Sequence, residues 1–133
     1  MKTYGADKDA LLNIPNENKT ISAREFVAWY NGLPGYENFN PDLSGDSAML
    51  LGQGNVAVDV ARILLSSVDQ LAKTDITSYA LESLSRSNIK KVFLVGRRGP
   101  LQVAFTIKEL REMLKLPNVD TIWRPEDFNG NYY

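Results

Sequence analysis

Short apolar runs alternate along this chain with stretches whose apolar residues recur at helical spacing, and this alternation predicts an α/β fold. Ser47–Leu51 and Lys91–Val95 each hold four consecutive apolar residues, which is typical of a short buried strand in a parallel sheet. Between them, a run rich in alanine, leucine and valine predicts a helix from Val56 to Ser66. The chain therefore contains a strand, a helix and a second strand in the order of a βαβ unit.

Three further helices are predicted from their N-terminal residues. Ser22 and Thr106 each precede a glutamate by three positions (Glu25 and Glu109), which is the spacing of a capping box. Thr77 has no such partner but is a suitable N-cap for a short helix over residues 78–87. These signals place one helix before the first strand, one inside the connection and one after the second strand.

The region after the second strand has a weaker pattern. Ile107, Leu110 and Leu114 recur at helical spacing and predict the apolar stripe of the last helix. Thr121–Trp123 is a candidate for the start of a third strand.

Composition narrows the chemistry available to the chain. It has 133 residues, enough for one domain, and it contains no histidine and no cysteine. Triads with histidine, thiol chemistry, iron–sulfur ligation and zinc sites of the Cys/His type are therefore excluded, so we predict neither a catalytic residue nor a metal site. A net charge of −1 argues against nucleic acid as a partner, and no apolar run approaches the ~18 residues of a membrane span.

The turn after the first strand carries the strongest functional signal. Gly52-Gln53-Gly54-Asn55 continues to Ala57, which gives the pattern G-x-G-x-x-A between a strand and a helix. This pattern is typical of dinucleotide sites, where the second glycine lets the diphosphate approach the backbone at the start of a helix. A turn used only for packing is the alternative. Asn55 either caps the helix or donates its amide to a cofactor oxygen.

Arg97 and Arg98 follow the second strand, where domains specific for NAD tend to place an acidic residue for the ribose. Two guanidinium groups suit a 2′-phosphate instead and indicate NADP(H), although ordinary surface arginines would leave the same sequence. The doublet begins 45 residues after Gly52 rather than the usual ~20, and an insertion over residues 67–89 accounts for the excess. Glu109 is either the capping partner of Thr106 or a cofactor contact. Together these features predict a Rossmann-like NADP-binding domain with a parallel sheet and three layers.

Several long stretches resemble the NADPH:adrenodoxin oxidoreductases, the mitochondrial-type ferredoxin–NADP reductases of the glutathione-reductase superfamily. The similarity extends over roughly residues 4–128. It is most specific in the run from Arg97 to Glu112 and in the run from Gly52 to Leu65. It predicts one domain over residues 1–133, in which residues 1–46 form a leading segment with a helix and residues 47–133 form the nucleotide-binding core.

The resemblance implies a function in electron transfer. In this family NADPH reduces FAD, and the flavin passes electrons to a [2Fe–2S] ferredoxin such as adrenodoxin. The cofactor contacts implied here are Gly52, Gln53, Gly54, Asn55, Arg97, Arg98 and Glu109. Arg111 is a candidate for docking the acidic ferredoxin. The implied location is the matrix side of the mitochondrial inner membrane, with roles in steroid hydroxylation and iron–sulfur cluster assembly.

The FAD motif of the family is absent from these 133 residues. The chain is therefore expected to be incomplete relative to a longer protein, to bind NADPH and to catalyse no turnover alone. Two other functions remain open at this point. One is the NADP domain of a different oxidoreductase with two dinucleotide domains, such as the small subunit of glutamate synthase. The other is an NADP-sensing module without catalytic activity.

Overall fold

A computed structural model describes residues 11–97 and 103–128 of the chain. This part contains two strands, β1 (Ser47–Leu51) and β2 (Lys91–Val95). It also contains five α-helices: α1 (Ala23–Tyr30), α2 (Asn55–Leu65), α3 (Val68–Leu71), α4 (Ser78–Ser85) and α5 (Ile107–Leu114). Short 3-10 helices lie at Glu17–Lys19 and Pro125–Phe128. The predicted α/β class is confirmed, and the first ten residues of the predicted leading segment lie outside the described residues.

The two strands pair in parallel, with Ser47 opposite Lys91 and Leu51 opposite Val95. Helices cover one face of this sheet, so the described residues supply two of the three predicted layers. The prediction that β1 is a buried strand is wrong, and β2 is equally open, because in both strands every second side chain points to the uncovered face. Those side chains are Met49, Leu51, Phe93 and Val95, with exposed fractions of 65%, 49%, 51% and 43%.

Helix α2 lies at the centre of the packing. On one side Val58 and Ala61 are buried in a cluster with Met113 of α5. On the other side Val60 belongs to the larger core cluster, which includes Trp29 of α1, only 2% exposed. Since α2 also contacts both strands, it holds the turn before it between the sheet and α5. The packing thereby fixes the position of the candidate site.

The predicted helix starts are correct at three places, but the bonds differ. Thr77 accepts a hydrogen bond from the Ala80 N–H at 3.4 Å. Thr106 accepts one from the Glu109 N–H at 3.3 Å. Ser22 occupies the N-cap of α1, yet its side chain makes no capping hydrogen bond, so the first predicted capping box is not formed.

Two predictions for the C-terminal part are wrong, the first only in part. Of the predicted stripe of α5, Leu110 packs against the cluster that contains Met113, but Ile107 and Leu114 are 67% and 52% exposed. No strand begins at Thr121: residues 121–124 have no regular structure, and Ile122 is 84% exposed. In both cases the apolar pattern was correct, but the described residues provide no partner for those side chains.

Candidate functional site

The glycine turn is held between β2 and the segment that leads into α5. The Gly52 N–H donates to the Val95 carbonyl at 2.8 Å, and the backbone there has a φ of 145°, which strongly favours glycine. On the other side, the Ala104 N–H donates to the Gln53 carbonyl at 2.9 Å, and Gly54 forms a parallel bridge with Ala104. The turn is therefore fixed on both sides by parts of the chain that are distant in sequence.

Gly54 is the N-cap of α2, and nothing among the described residues requires the lack of a side chain there. Its φ of −103° and ψ of 176° are open to any residue. A Cβ built on it would meet no atom of the described residues within 4 Å. The space beside the first N–H groups of α2 is thus open, as the close approach of an anionic group to a helix N-terminus requires. The geometry at Gly54 therefore fits the diphosphate that the motif predicts.

Asn55 connects the glycine turn to α5. It is the first residue of α2, and its Oδ1 accepts a hydrogen bond from the Thr106 N–H at 2.7 Å. Of the two roles left open for Asn55, the N-cap does not apply, because Gly54 holds that position. In a capping box Glu109 would accept from the Thr106 N–H. Since Asn55 takes that donor, the Glu109 carboxylate does not serve as its capping partner.

Asn55 and Glu109 line the same depression, which has a volume of about 270 Å³. Its other lining residues are Val27, Val56, Asp59 and Arg62. The structure therefore brings together two of the predicted cofactor residues, one on α2 and one on α5. Asn55, one of its lining residues, directly follows Gly54, so the depression lies next to the glycine turn.

Asp59 fixes one wall of this depression. It accepts hydrogen bonds from the Tyr30 hydroxyl and from the Arg62 guanidinium. Burial raises the pKa of Tyr30 well above its ordinary value, and the hydrogen bond to the Asp59 carboxylate raises that pKa further. The pair joins α1 to α2, so we assign Asp59 a structural role in this wall.

A larger depression of about 540 Å³ lies beyond Asp59 and Arg62. It is lined by residues such as Gln70, Asp75 and Lys115, and none of the predicted cofactor residues belongs to it. We place the site at the glycine turn nonetheless, because among the described residues it is there that open helix N–H groups meet the ends of the two strands.

Arg97 directly follows Gly96 at the end of β2, and it is exposed. Its position after the second strand is the one at which a Rossmann fold contacts the ribose of the cofactor. Arg98 lies outside the described residues. The positions of Gly52, Gly54, Asn55 and Arg97 at one edge of the sheet agree with the predicted order of the motif.

Sequence reasoning missed two features of this region. Asp59 and Arg62 line the depression. The only sequence signal for them was that Asp59 is an acidic residue near the start of a predicted helix. Gly96 is in close contact with Gln53. The sequence signal that could have identified Gly96 is its position directly before the two arginines.

Within residues 11–97 and 103–128, no helix is long and apolar enough to cross a membrane. The same residues contain no group of three acidic side chains that could hold a metal ion.

No family model matches the chain. It is 69% identical over 130 residues to the mitochondrial NADPH:adrenodoxin oxidoreductase of Drosophila melanogaster and 58% identical to that of Homo sapiens. These alignments cover 96% of the chain but only 28% and 26% of the two relatives. The solved structure of Mycobacterium tuberculosis FprA in complex with NADPH matches with a TM-score of 0.89 and 52% identity, covering 95% of the chain and 28% of FprA. The resemblance inferred from the sequence is thereby confirmed: the chain corresponds to roughly a quarter of the length of the NADPH:adrenodoxin oxidoreductases, which are enzymes.

Proposed function

We propose that this chain is the NADP(H)-binding domain of an oxidoreductase. Gly54 carries the proposal. Its dihedral angles would accept a side chain and no described residue crowds its Cβ position, which favours a ligand as the reason for the glycine. A diphosphate at the N-terminus of α2 is the ligand that this motif holds. In this domain residues 47–133 form the nucleotide-binding core and residues 1–46 lead into it.

Arg97 and Arg98 then contact the 2′-phosphate of the cofactor. Arg97 is exposed at the end of β2, where its guanidinium can form two parallel hydrogen bonds with a phosphate. The basic residues between positions 86 and 115 outnumber the acidic ones by eight to two, which favours an anionic ligand on this side of the domain.

Asn55 and Glu109 are cofactor contacts on the other side of the turn. The Oδ1 atom of Asn55 is engaged by Thr106, which leaves the amide N–H groups of Asn55 to donate to a cofactor oxygen. Glu109 faces the depression that Asn55 also lines, and it can accept hydrogen bonds from hydroxyl or amide groups of the cofactor. Gly52 and Gln53 complete the proposed cofactor contacts within the glycine turn.

The hydride from NADPH requires a redox-active acceptor such as a cofactor, since amino-acid side chains other than a disulfide do not accept it and the chain has no cysteine. We assign that role to FAD in a longer protein, whose further segments also cover the open face of the sheet. This accounts for strands that are apolar on both faces although helices cover only one of them.

The electrons then reach a [2Fe–2S] ferredoxin. Relatives named for adrenodoxin and ferredoxin support this partner. Arg111 is exposed on α5 and is a candidate contact for acidic groups of that ferredoxin. Relatives named as mitochondrial support a mitochondrial location, which we place at the matrix side of the inner membrane, in steroid hydroxylation or iron–sulfur cluster assembly.

Titration of the 133-residue chain with NADPH and with NADH, followed by nucleotide fluorescence, tests the nucleotide site. We expect NADPH to bind at least about tenfold more tightly, since the 2′-phosphate adds one or more charged hydrogen bonds. Equal affinity for the two nucleotides, or binding of neither, contradicts the proposal. A second assay adds NADPH and an artificial electron acceptor. Measurable turnover by the chain alone contradicts the assignment of the hydride acceptor to another domain.

A further inference from the structure

Gly96 lies between β2 and Arg97, and its lack of a side chain has a different cause from that of Gly54. A Cβ built on Gly96 would lie 2.0 Å from Cδ and 2.2 Å from Oε1 of Gln53. The side chain of Gln53 thus occupies the space directly over Gly96. Since φ at Gly96 is not among the positive values, the position of the Gln53 side chain, and not backbone strain, favours glycine here: a Cβ on Gly96 would displace the Gln53 amide.

The backbone of the turn directs Gln53 toward this space. Gly52 is bound to the end of β2 through the Val95 carbonyl, while the Gln53 carbonyl is held from the opposite side by Ala104. With the main chain fixed on both sides, the Gln53 side chain extends over the carboxyl end of β2.

In a Rossmann fold the carboxyl end of the second strand contacts the ribose of the adenosine and whatever its 2′ oxygen carries. We infer that Gly96 is a specificity-determining position for NADP(H): its missing side chain makes room for the Gln53 amide to reach the 2′-phosphorylated ribose beside Arg97. This inference rests on the proposed function. It assigns Gln53 to the ribose end of the cofactor instead of the diphosphate, and it adds Gly96 to the site.

Two small nucleotides separate the two ends of the cofactor. Adenosine 2′,5′-bisphosphate carries the phosphate on the ribose 2′ oxygen and no diphosphate, whereas ADP carries the diphosphate and no 2′-phosphate. We expect Gly96→Ala and Gln53→Ala each to weaken binding of the bisphosphate by roughly tenfold, the value of one hydrogen bond to a charged group. Binding of ADP should change by less than about twofold, since neither variant removes a hydrogen bond to the diphosphate.

The double variant Gln53→Ala with Gly96→Ala gives the sharpest result. If Gly96→Ala acts only by displacing Gln53, the double variant binds the bisphosphate as weakly as either single variant and no weaker. Gly45→Ala is the matched control, because a Cβ there has only the Ser47 carbonyl oxygen nearby, at 3.8 Å. We expect this control to bind both nucleotides like the wild type.

Additive losses in the double variant, equal losses for ADP and the bisphosphate, or wild-type binding by Gly96→Ala would each overturn the inference. Thermal unfolding of every variant checks the fold. Should Gly96→Ala fail to fold, Gln53→Ala decides alone, since it removes atoms and introduces no overlap. A wild-type chain that binds neither nucleotide would overturn the proposed function itself, whereas wild-type binding with unaffected variants overturns only the role of Gly96 and Gln53.

Discussion

Gly54→Ser is expected to raise the stability of the chain while it removes NADPH binding. Serine fits the φ of −103° and ψ of 176° at this position, and its Cβ would meet no atom of the described residues within 4 Å. Serine is a better N-cap than glycine by a few tenths of a kcal/mol. It also reduces the conformational entropy of the unfolded chain, which adds about 0.4–1 kcal/mol. For a chain of this length, these terms together raise the unfolding midpoint by roughly 2–6 °C.

NADPH should reverse this order of stability. A side chain on Gly54 fills the space through which a diphosphate would reach the N–H groups of α2, so charged hydrogen bonds worth ~1.5–3 kcal/mol each are lost. Since at least two such bonds are lost, affinity should fall by about a hundredfold or more. At a concentration of about 100 times its dissociation constant, NADPH stabilises the wild type by ~2.7 kcal/mol, or roughly 8–12 °C. The wild type should then unfold at a higher temperature than the variant, although without nucleotide it unfolds at a lower one.

Thermal unfolding with and without NADPH, combined with fluorescence titration, measures both effects. Gly45→Ser is the matched control, since Gly45 has similar open space and lies outside the turn. It should leave the NADPH-induced shift unchanged. An undiminished NADPH shift in Gly54→Ser would refute the placement of the diphosphate at this turn. A large loss of stability in the absence of nucleotide would refute the reading of Gly54 as free of internal constraints.

Three further substitutions test other parts of the site. Arg97→Ala should weaken NADPH binding about ten- to a hundredfold and leave NADH binding nearly unchanged. The control is Arg86→Ala, whose arginine pairs with Glu82 and whose loss should change the binding of neither nucleotide. Equal losses for both nucleotides in Arg97→Ala would contradict a role at the 2′-phosphate. Asn55→Ala should destabilise the chain by about 1 kcal/mol in denaturant unfolding because the Thr106 N–H loses its acceptor. Asn55→Asp keeps an acceptor, so it should retain stability but repel the diphosphate. Equal stability of the wild type and both variants would contradict a stabilising role of the bond from Thr106 to Asn55. Tyr30→Phe should cost about 1.5 kcal/mol through the lost bond to Asp59, and Tyr79→Phe is its control, since the Tyr79 hydroxyl is buried without a hydrogen-bond partner among the described residues. Because the folded pKa of Tyr30 is raised, the unfolded chain loses this proton first, so wild-type stability should fall above about pH 10 more steeply than that of Tyr30→Phe; parallel curves would refute this.

Local sequence signals were sufficient for the elements but not for their environments. The bounds of β2 and the caps Thr77 and Thr106 follow from short patterns, because strands and helix starts depend on neighbouring residues. The open face of the sheet could not be predicted, since an apolar run such as that around Met49 has the same sequence whether or not another segment covers it. The same limit explains Ile107, which is apolar but exposed.

The candidate site divides in the same way. The glycine motif and Arg97 were predicted because their order along the chain reflects a βαβ unit. The bond from Thr106 to Asn55 joins residues 51 positions apart, so no local pattern could indicate it. That bond changes the interpretation of Glu109. As a local pattern Glu109 is a capping residue, but with its donor taken by Asn55 it becomes available to a ligand.

Three glycines of this site are alike in the sequence, yet each has a different physical cause. Gly52 is required by a backbone φ of 145°, so a side chain there should first lower the stability of the fold. Gly54 is required by neither the backbone nor its described neighbours, so a side chain should lower affinity without loss of stability. Gly96 is favoured by the position of the Gln53 side chain, so a substitution should alter the choice between nucleotides. Because stability, affinity and specificity are measured separately, alanine at each of the three positions distinguishes the backbone, the ligand and the neighbouring side chain as the cause.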